Sequence, residues 1–599
     1  MHSRPTWYLF LLLGFITSGT DLSAQGAPLP VDDEGYALVR RLAVRYGNEG
    51  FERPATDLSL RPTGRAGLVR LVKTYTDRYG DEFSVTDRYR VQRFLDDNNE
   101  WLALPPFTAG EDGDRAAFFL GDDFATAATL TPEYRTADRP ILGLFYPTPA
   151  NLIEVNRPDF YLRLNPLVDV RYGKQRDDAE DYFFNRRGVR LRAGVDDRIF
   201  LHFDILETQA GLPDFVRDYR SRFEALPGAG FLKGYTLEAL NVRRGSDYLN
   251  GSGFVSADLT RHVGARLGYG RHFIGDGERS MLLSDFSNNY PFLELNWRIW
   301  KFHYRNLFAE LTAGPGSRPS GINPFPKKYL AAHHLSINLG RRVTVGLFEA
   351  VVLSREEGFD SAYLNPIILY RTIEQSVGSP DNALIGLTGR YRAPWRTEFY
   401  GQFILDEFVF DELFVERRGW WANKWAYQLG LRHVDAFGID QFDVVLERNV
   451  ARPFTYSHRD QSSYTHFNMP LAHPLGANFT ENLVGVDYRP LPRLHLRARL
   501  FLIEQGEETN DELPATIGEN INLSHNLRTM DFGNEIGQGI GYSNRLLTFR
   551  AGYELKPNLW LEGEILSRNK VSDAPTRSLE TTVVNLGVRW NVARQNWEF

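Results

Sequence analysis

Three histidines, His458, His466 and His473, share the stretch Arg452 to Asn482 with Pro453, Pro470, Pro474 and a run of Tyr, Ser and Asn. Imidazole is a common metal ligand, so the cluster raises zinc coordination. The separations of eight and seven residues put no two of the three on one helical face. Hydrogen bonding inside a folded loop fits better, and neither metal nor cofactor is expected. Asp406, Glu407 and Glu374 raise a second chemistry, the carboxylate pair of glycoside hydrolysis. With 76 acidic residues in the chain such pairs occur by abundance, and no catalytic set is expected. Gly275-Asp276-Gly277-Glu278-Arg279-Ser280 has the glycines of a phosphate-cradling loop but lacks the Gly-Lys-Ser/Thr core and the following helix. A tight turn with Arg279 paired to a carboxylate accounts for it. A third chemistry is sugar binding: the faces of Trp420, Trp421, Trp425, Tyr456 and Tyr464 can stack on sugar rings while Asn, Arg and Asp neighbours bond hydroxyls. Trp425 and Tyr427 also suit an aromatic girdle at a membrane interface.

These residues lie in stretches without helical or strand period, each held between segments about ten residues long that alternate apolar and polar side chains. Leu547, Phe549, Ala551, Tyr553 and Leu555 oppose Arg550 and Glu554, and Leu494, Leu496, Ala498, Leu500 and Leu502 oppose His495, Arg497 and Arg499. Both signs of charge recur on the polar face, which suits a wet lumen with lipid outside. On this parity Arg190, Arg192, Arg432, Asp443, Glu447, Arg497, Arg499, Arg550, Glu554, Glu562 and Glu564 point inward. Eighteen such segments start near 159, 188, 198, 250, 263, 291, 301, 331, 342, 384, 396, 424, 439, 479, 492, 544, 557 and 580. Short and long links alternate between them, as periplasmic turns and extracellular loops do. The long links include 173–187, 352–383 and 504–543, and their Pro, Trp and Tyr residues predict loops folded inward.

Composition agrees: 13% aromatic residues with a mean hydropathy of -0.36 fit half-apolar strands. A net charge of -7 gives no nucleic-acid signal, and the absence of cysteine excludes disulfides and thiolate metal sites. Residues 1–24 read as a signal peptide, because the apolar run Trp7 to Ile16 is half the roughly 20 residues a membrane helix needs. Residues 25–102 carry three amphipathic helical patterns, with Thr63 and Ser84 as N-caps, and form a small helical domain expected in the periplasm. A linker, 103–158, leads to a barrel over 159–599, and Phe599 ends the chain with a parity opposite to Val592. The expected fold is thus an outer-membrane antiparallel β-barrel of about 18 strands behind a helical domain.

Four loop motifs resemble the gliding-motility RemB-like proteins of the Bacteroidota, which belong with the Wzi capsule-assembly barrels. They are the 275–280 turn, Tyr363-Leu364-Asn365-Pro366 with Gly378-Ser379-Pro380-Asp381-Asn382, Gly419-Trp420-Trp421-Ala422-Asn423-Lys424, and Arg452-Pro453-Phe454-Thr455-Tyr456-Ser457-His458 through Leu471-Ala472-His473-Pro474-Leu475-Gly476-Ala477-Asn478-Phe479. The resemblance implies a non-enzymatic outer-membrane barrel that holds or organises surface polysaccharide or supports gliding adhesins. Its implied partners are membrane lipid, polysaccharide and a surface adhesin or lipoprotein. The candidate glycan contacts are Asp276, Glu278, Arg279, Asn365, Asp381, Asn382, Trp420, Trp421, Asn423, Lys424, Arg452, Tyr456, His458, His473 and Asn478. A solute channel, a docking subunit and an outer-membrane hydrolase are the rival readings.

Overall fold

Strands of period two form wherever one face meets lipid and the other the lumen, and here they run from residue 160 to 590. In a computed structural model they are β1 (Phe160–Gln175), β2 (Asp181–Val195), β3 (Ile199–Gly211), β4 (Val242–Asp258), β5 (Val263–Gly270), β6 (Tyr290–Ile299), β7 (Phe302–Thr312), β8 (Lys327–Leu339) and β9 (Val343–Leu353). The second half comprises β10 (Asn382–Ala393), β11 (Thr397–Glu407), β12 (Lys424–His433), β13 (Phe442–Ala451), β14 (Phe479–Leu491), β15 (Leu494–Glu507), β16 (Ile540–Lys556), β17 (Leu559–Ser572) and β18 (Leu579–Trp590). Each pairs antiparallel with the next, and β18 returns to β1 from Val583↔Gln175 to Trp590↔Val168, closing an 18-strand barrel. The structure describes residues 27–47, 57–102 and 146–599, with gaps at 147, 149, 158, 197, 261, 315–324, 341, 356–357, 367–368, 377, 379–380, 408, 460 and 510–514. The expected signal peptide, most of the expected linker and the side chain of Glu374 lie outside the described residues.

The parity holds for every charge expected to face inward. Leu547, Phe549, Tyr553 and Leu555 are exposed on the outside of β16. All eleven charges expected to face inward have interior partners: Arg190 with Asp204 at 2.7 Å, Arg192 with Glu100 at 3.1 Å, Arg432 with Glu398 at 3.0 Å and Arg497 with Glu278 at 3.0 Å. Asp443 meets Arg41, Glu447 accepts from Tyr400, Arg499 meets Asp487, Arg550 meets Glu564, Glu554 accepts from Tyr89, and Glu562 and Glu564 meet Arg594. Two boundaries differ from expectation. The first long link shrinks to 176–180, because β1 and β2 extend through the pair Lys174↔Asp181. β4 begins eight residues early, at Val242, where Gly245, Gly251 and Gly253 blur the alternation.

Helices α1 (Gly35–Tyr46), α2 (Arg65–Tyr79) and α3 (Val85–Asp97) pack on a shared core that includes Val39, Leu42, Leu68 and Val72. Ser84 caps α3, its Oγ accepting from the Asp87 N–H at 3.1 Å. Thr63 does not cap α2: Gly64 takes that place, and Thr63 pairs with Leu29 in a two-residue strand. The bundle is docked into the short-turn end of the barrel. Arg41, 2% exposed at its side chain, meets Asp87 at 3.3 Å and also Asp435 and Asp443 of the wall. Tyr89 donates to Glu554 at 2.8 Å, and Glu34 meets Arg589 at 2.8 Å.

Two further segments fill the lumen. Loop 271–289 descends from the long-loop end until Phe273–Ile274 pairs with Leu60–Arg61 beside the bundle, and Asp276 accepts from Arg390 at 2.8 Å and, through its carbonyl, from Arg40. Residues 591–599 leave β18 and turn back inside: Arg594 meets Glu562 at 2.8 Å, Asn596 accepts from Arg550 at 2.6 Å, and the Glu598 carbonyl accepts from Arg279. Phe599, 8% exposed, packs on Phe215, Tyr219 and Phe286 with centroids 4.8–5.7 Å away. Its odd parity therefore has a simple cause: the tail has left the strand.

Candidate functional site

The residues able to hold a ligand at the long-loop end come from the links β11–β12, β13–β14 and β15–β16. Gly419, at φ +70°, lets the first of these lie against the third, since a Cβ there would stand 2.7 Å from the Asn534 nitrogen. The Trp421 N–H donates to the Asp531 carbonyl at 2.9 Å, and the Asn534 N–H to the Gly419 carbonyl at 3.0 Å. This clamp sets Trp420 and Trp421 side by side, ring centroids 6.0 Å apart, with Phe532 5.0 Å from Trp420 and His525 4.7 Å from Trp421. Arg528 lies 4.2 Å over Trp421 and Arg418 4.5 Å over Phe532. Both indole Nε1 atoms are buried without a hydrogen-bond partner among the described residues. Phe532 is 41% exposed and Met530 43%, and the adjoining turn exposes Phe410, Phe414 and Val415. The result is an aromatic shelf with guanidinium groups stacked on its rings.

Beneath it the link Arg452 to Asn482 is packed tightly. Phe454 and Tyr456 hold φ +67° and +74°, a costly region for aromatic residues. Tyr456 is fixed there because its N–H donates to Asp406 at 2.8 Å and its hydroxyl to the Met281 carbonyl at 2.7 Å. The three histidines do separate jobs. His466 accepts from the Thr312 N–H at 2.9 Å and its Nε2 lies 3.1 Å from the Asn289 carbonyl; burial pushes it down to about 3. His473 meets Glu481 at 2.9 Å, and His458 stacks edge-on to His525 at 5.5 Å. Burial and then Lys424 hold His525 neutral, at about 3. Among the described residues no three metal-ligating side chains converge.

The fifteen candidate contacts separate into four places. Trp420, Trp421, Lys424, Arg452 and His458 gather at the shelf, where Lys424 lies 5.2 Å from the Trp421 ring and Arg452 donates to the Trp420 carbonyl at 3.4 Å. Asn423 and Asn478 brace its loops, accepting from the Val409 and Gly537 N–H groups. Asp276, Glu278, Arg279 and His473, with Tyr456 above them, lie within the lumen. There burial raises Glu278, but Arg499 and Arg497 outweigh it and bring the carboxyl to about 2. Asn382 faces the lumen and donates to the Ser462 carbonyl at 3.1 Å. Asn365 and Asp381 are elsewhere: the β9–β10 link folds down the outer wall instead of inward, and Asp381 accepts from Tyr363 and Arg355 at 2.7 Å. Phe532, Arg528 and Arg418 escaped the sequence reading, although Met530 and Phe532 stand out as apolar residues in a polar loop.

The sequence matches no protein-family model and no curated protein. Among solved structures the chain is similar to Wzi of Escherichia coli, an outer-membrane protein involved in group 1 capsule assembly and described as a carbohydrate-binding β-barrel. The TM-score is 0.54 at 11% identity, covering 95% of this chain and 100% of that one. OccAB2 of Acinetobacter baumannii gives 0.39 at 11% identity over 72% of this chain and 97% of its own. OprD of Pseudomonas aeruginosa gives 0.38 at 10% identity over 72% and 93%. At 11% identity the likeness to Wzi establishes the fold alone, that of an outer-membrane barrel.

Proposed function

We propose that this chain is a non-enzymatic outer-membrane barrel that binds and holds surface polysaccharide, with its long loops outside and its helical bundle in the periplasm. The observation that carries this reading is the aromatic shelf of Trp420, Trp421 and Phe532 on top of a lumen filled by three separate segments. Partly exposed rings supply stacking faces, and the guanidinium groups stacked on them offer donors to hydroxyls. A filled lumen disfavours the channel reading, since solute would have to displace buried ion pairs. The motif resemblance to RemB-like and Wzi-type proteins points the same way, and the carbohydrate binding of the structural neighbour Wzi is consistent with it.

A second reading, support of a surface adhesin or lipoprotein, draws on Phe410, Phe414 and Val415, which are 61%, 53% and 66% exposed. Cells carrying Trp420→Ala/Phe532→Ala should lose retained surface polysaccharide while the barrel still assembles. Cells carrying Phe410→Ser/Phe414→Ser should keep it. Normal retention in the first strain, together with loss of a surface protein in the second, would transfer the function to protein docking.

A further inference from the structure

The outer wall of β7, β8 and β9 breaks the lipid-facing pattern. Asn306, His333 and Glu349 are direct cross-strand neighbours, Asn306↔His333 and His333↔Glu349, with the outward parity of their strands. Ile385, the partner of Glu349 on β10, is 48% exposed and apolar, as a lipid contact should be. A membrane strand needs about 9–11 residues to cross the hydrocarbon. Counted from Val343, Glu349 lies inside that span. The polar row is covered by the β9–β10 link, which lies on the outer wall as a strap. Tyr363 and Tyr370 of the strap pack with Phe308, Ala331, Val351 and Leu353 in a cluster separate from the lumen core. The Arg371 N–H donates to Glu349 Oε1 at 3.0 Å, and Asn306 donates to the Pro366 carbonyl at 3.3 Å.

The hydrogen bonds under the strap do not close. The Tyr304 hydroxyl donates its one hydrogen to the Pro366 carbonyl, and His333 Nδ1 lies 3.0 Å from the Tyr304 oxygen. Nδ1 must therefore carry the imidazole hydrogen, which leaves Nε2 a bare acceptor. Among the described residues, Nε2 of His333, Oε2 of Glu349 and the Tyr370 hydroxyl have no partner, yet the three residues are 6%, 6% and 0% exposed. Two adjacent acceptors in hydrocarbon are expensive unless something donates to them, and an ionisable residue at membrane depth marks a functional site. Leu364 and Leu369 on the strap are 40% and 67% exposed, so the strap's outer face is apolar where it meets lipid.

We propose that His333, Glu349 and Tyr370 form an intramembrane site for the hydrogen-bond-donating headgroup, ammonium or hydroxyl, of a membrane lipid. The site is independent of the glycan shelf. The test uses full-length protein in nanodiscs of phosphatidylethanolamine, phosphatidylglycerol or phosphatidylcholine, with retained lipid counted by native mass spectrometry. Phosphatidylcholine, whose quaternary ammonium has no N–H, should be retained roughly tenfold less than a donor lipid, the weight of one hydrogen bond to a charged group. Preference for phosphatidylethanolamine alone assigns the ammonium; equal retention of phosphatidylglycerol assigns the hydroxyl. His333→Leu/Glu349→Leu, which removes both acceptors without stranding either, should abolish the preference in a barrel that circular dichroism shows folded. Equal retention of all three lipids by the unaltered protein, or a preference that survives the double substitution, would overturn the site. The chain has no cysteine, so a nitroxide on Leu369→Cys reports the strap alone. It should be relaxed by oxygen and not by a water-soluble nickel chelate, and relaxation by the chelate would overturn the intramembrane placement.

Discussion

Replacing Arg41 with Met tests what seats the helical bundle in the barrel. The guanidinium is nearly fully buried and meets Asp87, Asp435 and Asp443. Asp87 keeps Arg45 at 2.7 Å and Asp435 keeps Arg396 at 2.8 Å, whereas Asp443 has no second ion pair among the described residues. Breaking a buried pair costs about 3–5 kcal/mol; with two of three carboxylates still compensated, about 3 kcal/mol is the expected loss. That multiplies the unseated fraction about 150-fold. Limited proteolysis of the bundle in the folded barrel reads it as a matching rise in cleavage rate at unchanged barrel content. Arg41→Met/Asp443→Asn, which also removes the stranded charge, should recover at least half of the effect. Cleavage no faster than in the parent protein would show that the bundle is seated by apolar packing and would refute the argument from buried charge.

The lumen tail should matter for stability but not for strand closure: Phe599→Ala or Trp597→Ala should each cost about 3–5 kcal/mol, read by denaturant titration of the folded barrel, with heat-modifiable migration on gels retained. Burial raises the Asp97 carboxyl to about 7, while Asn558 donates to it at 2.7 Å. Between about pH 4 and 7 the folded state thus holds a proton that the unfolded chain has lost, so stability falls as pH rises through that window and levels off above it. Asp97→Asn should flatten the difference in melting temperature between pH 4.5 and 8. Chelator should leave thermal stability unchanged, because His458, His466 and His473 serve loop order; zinc-dependent recovery after chelation would contradict this.

Strand number, parity and the three helices were legible because each follows from a local period. The lumen charges could be assigned residue by residue for the same reason. The destination of each loop could not, since it is decided by long-range partners. Loop 271–289 goes inward because Arg390, Arg497 and Arg499 await Asp276 and Glu278. The β9–β10 link goes outward because Asn306, His333 and Glu349, polar on the lipid side, need cover. Neither fact leaves a periodic trace in the link itself. The shelf was half legible: Trp420 and Trp421 drew attention as adjacent indoles, while Phe532 and Arg528, about a hundred residues on, join them only through the backbone clamp at Gly419 and Asn534. The tail was legible in part: the parity of Phe599 sets it apart from the strand, but its return into the lumen is decided by Arg279, Phe215 and Tyr219, far off in sequence.

The central claim is a sealed barrel that holds glycan on an aromatic shelf. Titrating fragments of the cell's own surface polysaccharide into purified protein, with and without Trp420→Ala/Phe532→Ala, tests it directly. Two lost stacking faces at about 1 kcal/mol each predict binding weakened roughly 30-fold in a barrel of unchanged stability. Equal affinity in both proteins, or no binding in either, would contradict the account.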